Sequence, residues 1–332
     1  MKPKTIVSVL NSLATATDAA VMRALTLAQW YESNLHVVHV PPSSRVSEGS
    51  EAAIHDDLVD RIARIAERSG TGGVKVIPAV LSGSPVRAIA DYTNRVSADL
   101  VVVEKKARRG SGYWSAGSFA VALGKAVKAP TIAVPSDDLR PTDSGALFRN
   151  IVVATDFSEV SLRALSKALV LAQQSGGSLL LLHVLDGFPY ETVYSASRGF
   201  RLMQDFHARV ARVNRELRSL IPPDAWNWSE IEVATVSGLA HKAIVAAASE
   251  RRADLVVLGL PRRPRMEELV AGSTVHGVLR RTTSPVLLVP GAATASRDRF
   301  AADHHDHVAP YPSAFGSFAT GGVVPAGRTP WH

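Results

Sequence analysis

Cysteine is missing from all 332 residues, which excludes disulfides, thiolate metal sites and cysteine nucleophiles and suits a reducing, cytoplasmic compartment. No apolar run approaches the roughly 18 residues that a membrane-spanning helix needs, so no membrane partner is expected. No Walker lysine motif occurs, and no Gly-x-Gly-x-x-Gly follows the first predicted strand. No serine sits in a nucleophile elbow, and no set of metal ligands or general base stands out. These absences argue against an enzyme. What is present is a globular composition, 46% apolar and 20% charged, with a formal net charge of +7 that permits anionic partners.

The length exceeds one typical domain, and an internal repeat explains it. The segment ADLVVVEKKARRGSGYWSAGSFAVALGKAVKAPTIAVP from Ala98 aligns without a gap with ADLVVLGLPRRPRMEELVAGSTVHGVLRRTTSPVLLVP from Ala253, at a shift of 253 − 98 = 155. Gly117-Ser118 falls on Gly272-Ser273, Pro130 on Pro285 and Gly83 on Gly238. Earlier segments match at smaller shifts, His39 on His183 (183 − 39 = 144) and Asn11 on Asp156 (156 − 11 = 145). The opening Lys2, Lys4 and IVSVLNSLATA imitate a secretory leader. Their counterpart NIVVATDFS is internal, however, so a first strand is the better reading.

Each copy alternates short β-branched runs with helical patterns, the mark of a parallel sheet with crossover helices. In the second copy strands are predicted at 150–154, 178–184, 230–235, 254–259 and 285–289, and helices at 158–175, 197–220, 239–252 and 272–282. The apolar runs LLLLHV and LVVLG fit strands buried on both faces. The boundaries expected are 1–135 for the first domain, 136–147 for a linker and 148–290 for the second domain. The tail, 291–332, is rich in Ala, Gly, Pro, His and Ser and is expected to be disordered.

ATDFSE after the first strand, then LLLLHV, ADLVVLG and GSTVHGVLRRTTSPVLLVP, resemble the universal stress protein family over residues 4–135 and 148–290. The resemblance implies two Rossmann-like domains, adenine nucleotide alpha hydrolase-like, each a five-stranded parallel sheet of order 3-2-1-4-5 with helices on both faces. It also implies pairing of the two domains within the chain, and homodimers in the family at large. Some members bind ATP through Gly, two residues, Gly, nine residues, then Gly-Ser/Thr. Carried over, this puts Asp156 by the ribose and phosphates, Val184 against the adenine, Gly259 as first glycine, and Gly272, Ser273 and Thr274 at the helix start. The middle glycine is replaced by Arg262, which together with Arg263 could reach a phosphate. Magnesium would enter only with ATP, and weak ATP hydrolysis is the one reaction the resemblance leaves open.

In the first copy Glu104 and Ala107 replace both loop glycines and Asn11 replaces the aspartate, so no ATP is expected there. The equivalent basic loops, Lys105 to Arg109 and Pro261 to Arg265, admit two readings: anion sites for nucleotide, polyphosphate or nucleic acid, or solvated loops. His39 and His183 end buried strands and read as structural. His304, His305, Asp306 and His307 in the tail lack a framework for a metal. Trp226 and Trp228 read as packing against the helix before them. The leading expectation is a stress-response or regulatory module with ATP in its second domain. Its alternatives are a scaffold that binds no nucleotide, working through an unidentified protein partner, and a polyanion-binding protein.

Overall fold

A computed structural model describes residues 2–13, 18–42, 50–105, 117–138, 147–185, 196–262, 271–292 and 324–325. The first copy runs β1 (Thr5–Val9), α1 (Ala19–Tyr31), β2 (Asn34–His39), α2 (Ser50–Ser69), β3 (Val76–Val80), α3 (Pro85–Arg95), β4 (Leu100–Lys105), α4 (Ser118–Ala126) and β5 (Thr131–Pro135). The second runs β6 (Asn150–Thr155), α5 (Glu159–Ser175), β7 (Ser178–Leu185), α6 (Ala196–Ser219), α7 (Ala225–Trp228), β8 (Ile231–Ser237), α8 (Ala240–Glu250), β9 (Leu255–Leu260), α9 (Ala271–Arg281) and β10 (Val286–Pro290). Each predicted element of the second copy is present within two residues of its expected ends. The short helix α7 was not foreseen.

Strand order is β8-β7-β6-β9-β10 in the second copy and β3-β2-β1-β4-β5 in the first, which is the expected 3-2-1-4-5. Pairing within each copy is parallel. Helices cover both faces, as a parallel sheet requires. Residues of α1, α2, α5 and α6 form one buried layer with the sheet, and residues of α3, α4, α8 and α9 form the other.

The two sheets are continuous. β5 and β10 pair antiparallel, with Ile132 opposite Leu287, Ala133 opposite Val286 and Thr131 opposite Leu288. Since 287 − 132 = 155, Ile132 meets its own duplicate, and the pseudo-twofold axis passes through that pair. Both strands are fully buried and uncharged, TIAVP and VLLVP. Unpaired, either would be an exposed, sticky sheet edge, and each covers the other. On one layer Tyr31 of α1 donates its hydroxyl proton to Oε1 of Gln174 in α5, at 3.1 Å.

The boundary region is anchored by Leu147 and Phe148, both buried. The tail falls outside the described residues beyond its first two, except at β11 (Val324–Pro325), which pairs antiparallel with β8 at Thr235 and Ala234. At Val324 and Pro325 the tail is a strand rather than the disordered chain expected from its composition.

Candidate functional site

In the second copy the strand order reverses between β6 and β9, with β7 beyond β6. Ligands of open α/β sheets sit at such a switch, beyond the carboxyl ends of the strands. The turn after β6 is tightly built. Oδ1 of Asp156 accepts hydrogen bonds from the backbone N of Ser158 at 3.0 Å and from its hydroxyl at 2.5 Å. Phe157 takes a positive φ of 63° and donates its N–H to Oγ1 of Thr155. Ser158 caps α5, accepting from Ser161 N at 3.3 Å. The result is an exposed carboxylate held at the helix N-terminus.

Val184 lies half-buried near the end of β7. Beside it Nδ1 of His183 lies 2.8 Å from the carbonyl oxygen of Thr155, and since a carbonyl only accepts, Nδ1 carries the proton. Burial holds the His183 pKa below the ordinary histidine value, so the ring stays neutral. His39 makes the same contact to Leu10 O, at 2.8 Å, which is the structural role expected of both histidines.

Gly259 is held by close packing. A Cβ there would lie 2.9 Å from Ser161 N and from the C and O of Val160, so its absence lets the first turn of α5 settle on β9. Gly272, Ser273 and Thr274 form the first turn of α9, which begins at Ala271. The amides of a helix's first turn lack intrahelical partners and make an anion-binding pole. Asp156, Val184, Gly259 and this pole therefore ring one end of the three adjacent strands β7, β6 and β9.

Arg262 points elsewhere. Its Nε donates to Gly291 O at 3.0 Å and its guanidinium to Val127 O, in the first copy, at 2.7 Å. Lys105 is buried and donates to the carbonyls of Leu279, at 3.4 Å, and Thr282, both in the second copy. These two cations thus serve backbone carbonyls of the opposite copy, where the sequence suggested anions or water. The rest of each basic loop, Lys106 to Arg109 and Arg263 to Arg265, lies outside the described residues. Sequence reasoning missed these bonds because in each the distant partner sits on the other copy.

Burial lowers the Lys105 pKa from 10.5 to about 8, with Asp137 and Asp138 pulling the other way. The unfolded chain keeps its proton to near the ordinary value. Between about pH 8 and 10.5 the unfolded state therefore holds a proton that the folded state has released, and stability rises with pH. The gain is about 3 kcal/mol at most. Urea unfolding at pH 7.5 and pH 10 is expected to show it in the wild type and to lose it in Lys105→Met.

In the first copy the corresponding positions are built differently. Glu104 is buried in β4, at the place of Gly259. Helix α1 begins at Ala19, which corresponds at the shift of 144 to Arg163, one turn later than the start of α5. Its N-cap residue Asp18 is buried and paired with Arg61, at 2.9 Å, and with Arg68. Its carboxylate makes no capping bond to the helix and is turned instead to these two arginines of α2. Among the described residues no group of three or more His, Cys, Asp or Glu could hold a metal, and no helix is long and apolar enough to cross a membrane.

A family model described as the universal stress protein family matches residues 3–135 and 147–290. The chain is 26% identical over 144 residues to universal stress protein MJ0531 of Methanocaldococcus jannaschii, a match that covers 43% of this chain and 82% of that protein. Among solved structures it is similar to a universal stress protein from Archaeoglobus fulgidus, with a TM-score of 0.56 and 21% identity, over 86% of this chain and 96% of that one. A similar structure from Pseudomonas aeruginosa, a putative universal stress protein by its description, has a TM-score of 0.55 and 18% identity over 87% and 93% of the two chains.

Proposed function

This chain belongs to the universal stress protein family, and from that premise we propose that it is a non-enzymatic stress-response module that takes an adenine nucleotide in its second domain. ATP is the ligand this reading names, with magnesium entering on its phosphates. The first domain serves as a structural partner.

One observation carries the reading: an exposed carboxylate, a close-packed glycine strand and the N-terminal pole of α9 converge at the switch point of the second sheet. The residues fit the ligand. Asp156 stands where a ribose or a phosphate-bound magnesium would come, Val184 offers an apolar contact, and the first turn of α9 offers amides to phosphate. Gly259 lets the first turn of α5, which follows the Asp156 turn, settle on β9. In the first domain Glu104 stands at the place of Gly259 and Asn11 at that of Asp156, which supports a single nucleotide per chain.

Asp156→Ala is expected to weaken ATP binding by roughly tenfold, as the loss of one charge-assisted contact does. Calorimetry on protein stripped of bound nucleotide measures it. Unchanged affinity would remove Asp156 from the site.

The reading as a scaffold without nucleotide has one observation in its favour, the engagement of Arg262 with backbone carbonyls at the position of the family's middle glycine. A stripped protein that gives no heat at millimolar ATP would establish it in place of the first.

A further inference from the structure

The two cross-domain cations stand at different places of the repeat, Lys105 at that of Leu260 and Arg262 at that of Ala107, but the carbonyls they reach are related by the pseudo-twofold axis. Val127 follows the last residue of α4, and Thr282 follows the last residue of α9. They are duplicates, since 282 − 127 = 155. Carbonyls at a helix C-terminus lack intrahelical partners and carry the negative end of the dipole. Arg262 serves Val127 O and Lys105 serves Thr282 O, so each domain caps the C-terminus of the other domain's last helix. Neither contact is part of the strand pairing between β5 and β10.

Arg262 has a second attribute. It stands two residues after the end of β9 and at the head of the segment leading into α9, the helix whose first turn faces phosphate in the proposed site. Its Nε bond to Gly291 O ties the same point to the end of β10. The head of the loop is therefore fastened to both its own domain and the neighbouring one.

We propose that Arg262 is a positioning residue through which the first domain sets the nucleotide affinity of the second: it acts by fixing the end of β9, where Gly259 stands, against α4, and it does not touch phosphate. This rests on the reading of the second domain as a nucleotide site. A strand end held in place before the ligand arrives loses less freedom on binding, and affinity rises accordingly. The degenerate first domain then has a task that requires no ligand of its own.

A second contact provides an independent handle from the first domain. A Cβ on Gly124 of α4 would lie 2.8 Å from Cδ2 of Leu260, the last residue of β9. A leucine at Gly124 crowds the contact between α4 and the end of β9 without altering any residue of the site.

The test is ATP titration of the stripped full-length chain at several salt concentrations, for wild type, Arg262→Ala, Arg262→Lys and Gly124→Leu. Arg262→Ala is expected to weaken ATP roughly tenfold, within the usual range of coupling between sites. Its salt dependence should match the wild type, because no phosphate ion pair has been removed. Arg262→Lys, which can still reach one carbonyl, should recover most of the loss, and Gly124→Leu should weaken binding in the same direction. Wild-type affinity in Arg262→Ala, or in Gly124→Leu, would overturn the proposal while leaving the nucleotide site standing. A flatter salt dependence in Arg262→Ala would also overturn it, by making Arg262 a phosphate contact. A wild-type chain that binds no ATP would end the nucleotide reading and this proposal together.

Discussion

Gly259→Val is expected to destabilise the second domain by about 3 kcal/mol or more, because the new atoms meet backbone instead of a yielding side chain. The nearest atoms to a Cβ at this position are Ser161 N and the C and O of Val160, all at 2.9 Å. They belong to the first turn of α5, which cannot move alone. Ser158 caps that turn and holds the Asp156 carboxylate, and Thr155 Oγ1 lies 2.9 Å from Ser161 Oγ beneath it. Displacing α5 therefore disturbs the stability of the domain and the geometry of the site in one step. The first domain shows what tolerance of a side chain requires, since it has Glu104 at this place and a helix that starts one turn later. Urea unfolding measures the loss, and a variant with wild-type stability would show that α5 does not rest on β9.

The second large effect is expected at Gly117, the surviving glycine of the motif in the first domain. It caps α4 with a φ of +85°, where a side chain costs roughly 1–3 kcal/mol. A Cβ would also lie 2.7 Å from Cβ of Leu279, on α9 of the other domain. Cβ is fixed by the backbone, so Leu279 cannot turn aside. Gly117→Val combines both penalties and is expected to cost about 3 kcal/mol or more. It should also loosen the contact of α4 with α9 and speed amide exchange in β5 and β10. Protection unchanged in those strands would mean that the glycine serves only its own turn. Gly117 is thus explained by packing between domains, in a copy where no phosphate is expected.

Much of this architecture was readable beforehand because its signals are local. LLLLHV and LVVLG read as strands by their continuous apolar character, and the shift of 155 revealed the duplication. The turn ATDFSE and the Gly-Ser-Thr start of α9 marked two sides of the site. What escaped the sequence depends on contacts between the copies. Nothing in KKARR tells that Lys105 turns inward to Thr282, and nothing in PRRPR tells that Arg262 reaches Val127. Both follow from the antiparallel pairing of β5 with β10, which brings residues more than a hundred positions apart into register. Asp18 could have been suspected as a helix cap, but Arg61 and Arg68, its partners, lie beyond a strand and a loop. The basic loops suggest an anion site or a solvated loop because charge is usually solvated or paired with anions, and helix ends in need of donors are not visible in sequence.

The central claim is that one of the two duplicated domains binds an adenine nucleotide and the other does not. Calorimetric titration of the stripped full-length chain with ATP and magnesium tests it most directly, beside Gly272→Asp in the second domain and Asn11→Ala in the first. A single site per chain, lost in Gly272→Asp and intact in Asn11→Ala, is the predicted result. Two sites per chain, binding that survives Gly272→Asp, or no heat at millimolar ATP would contradict the account.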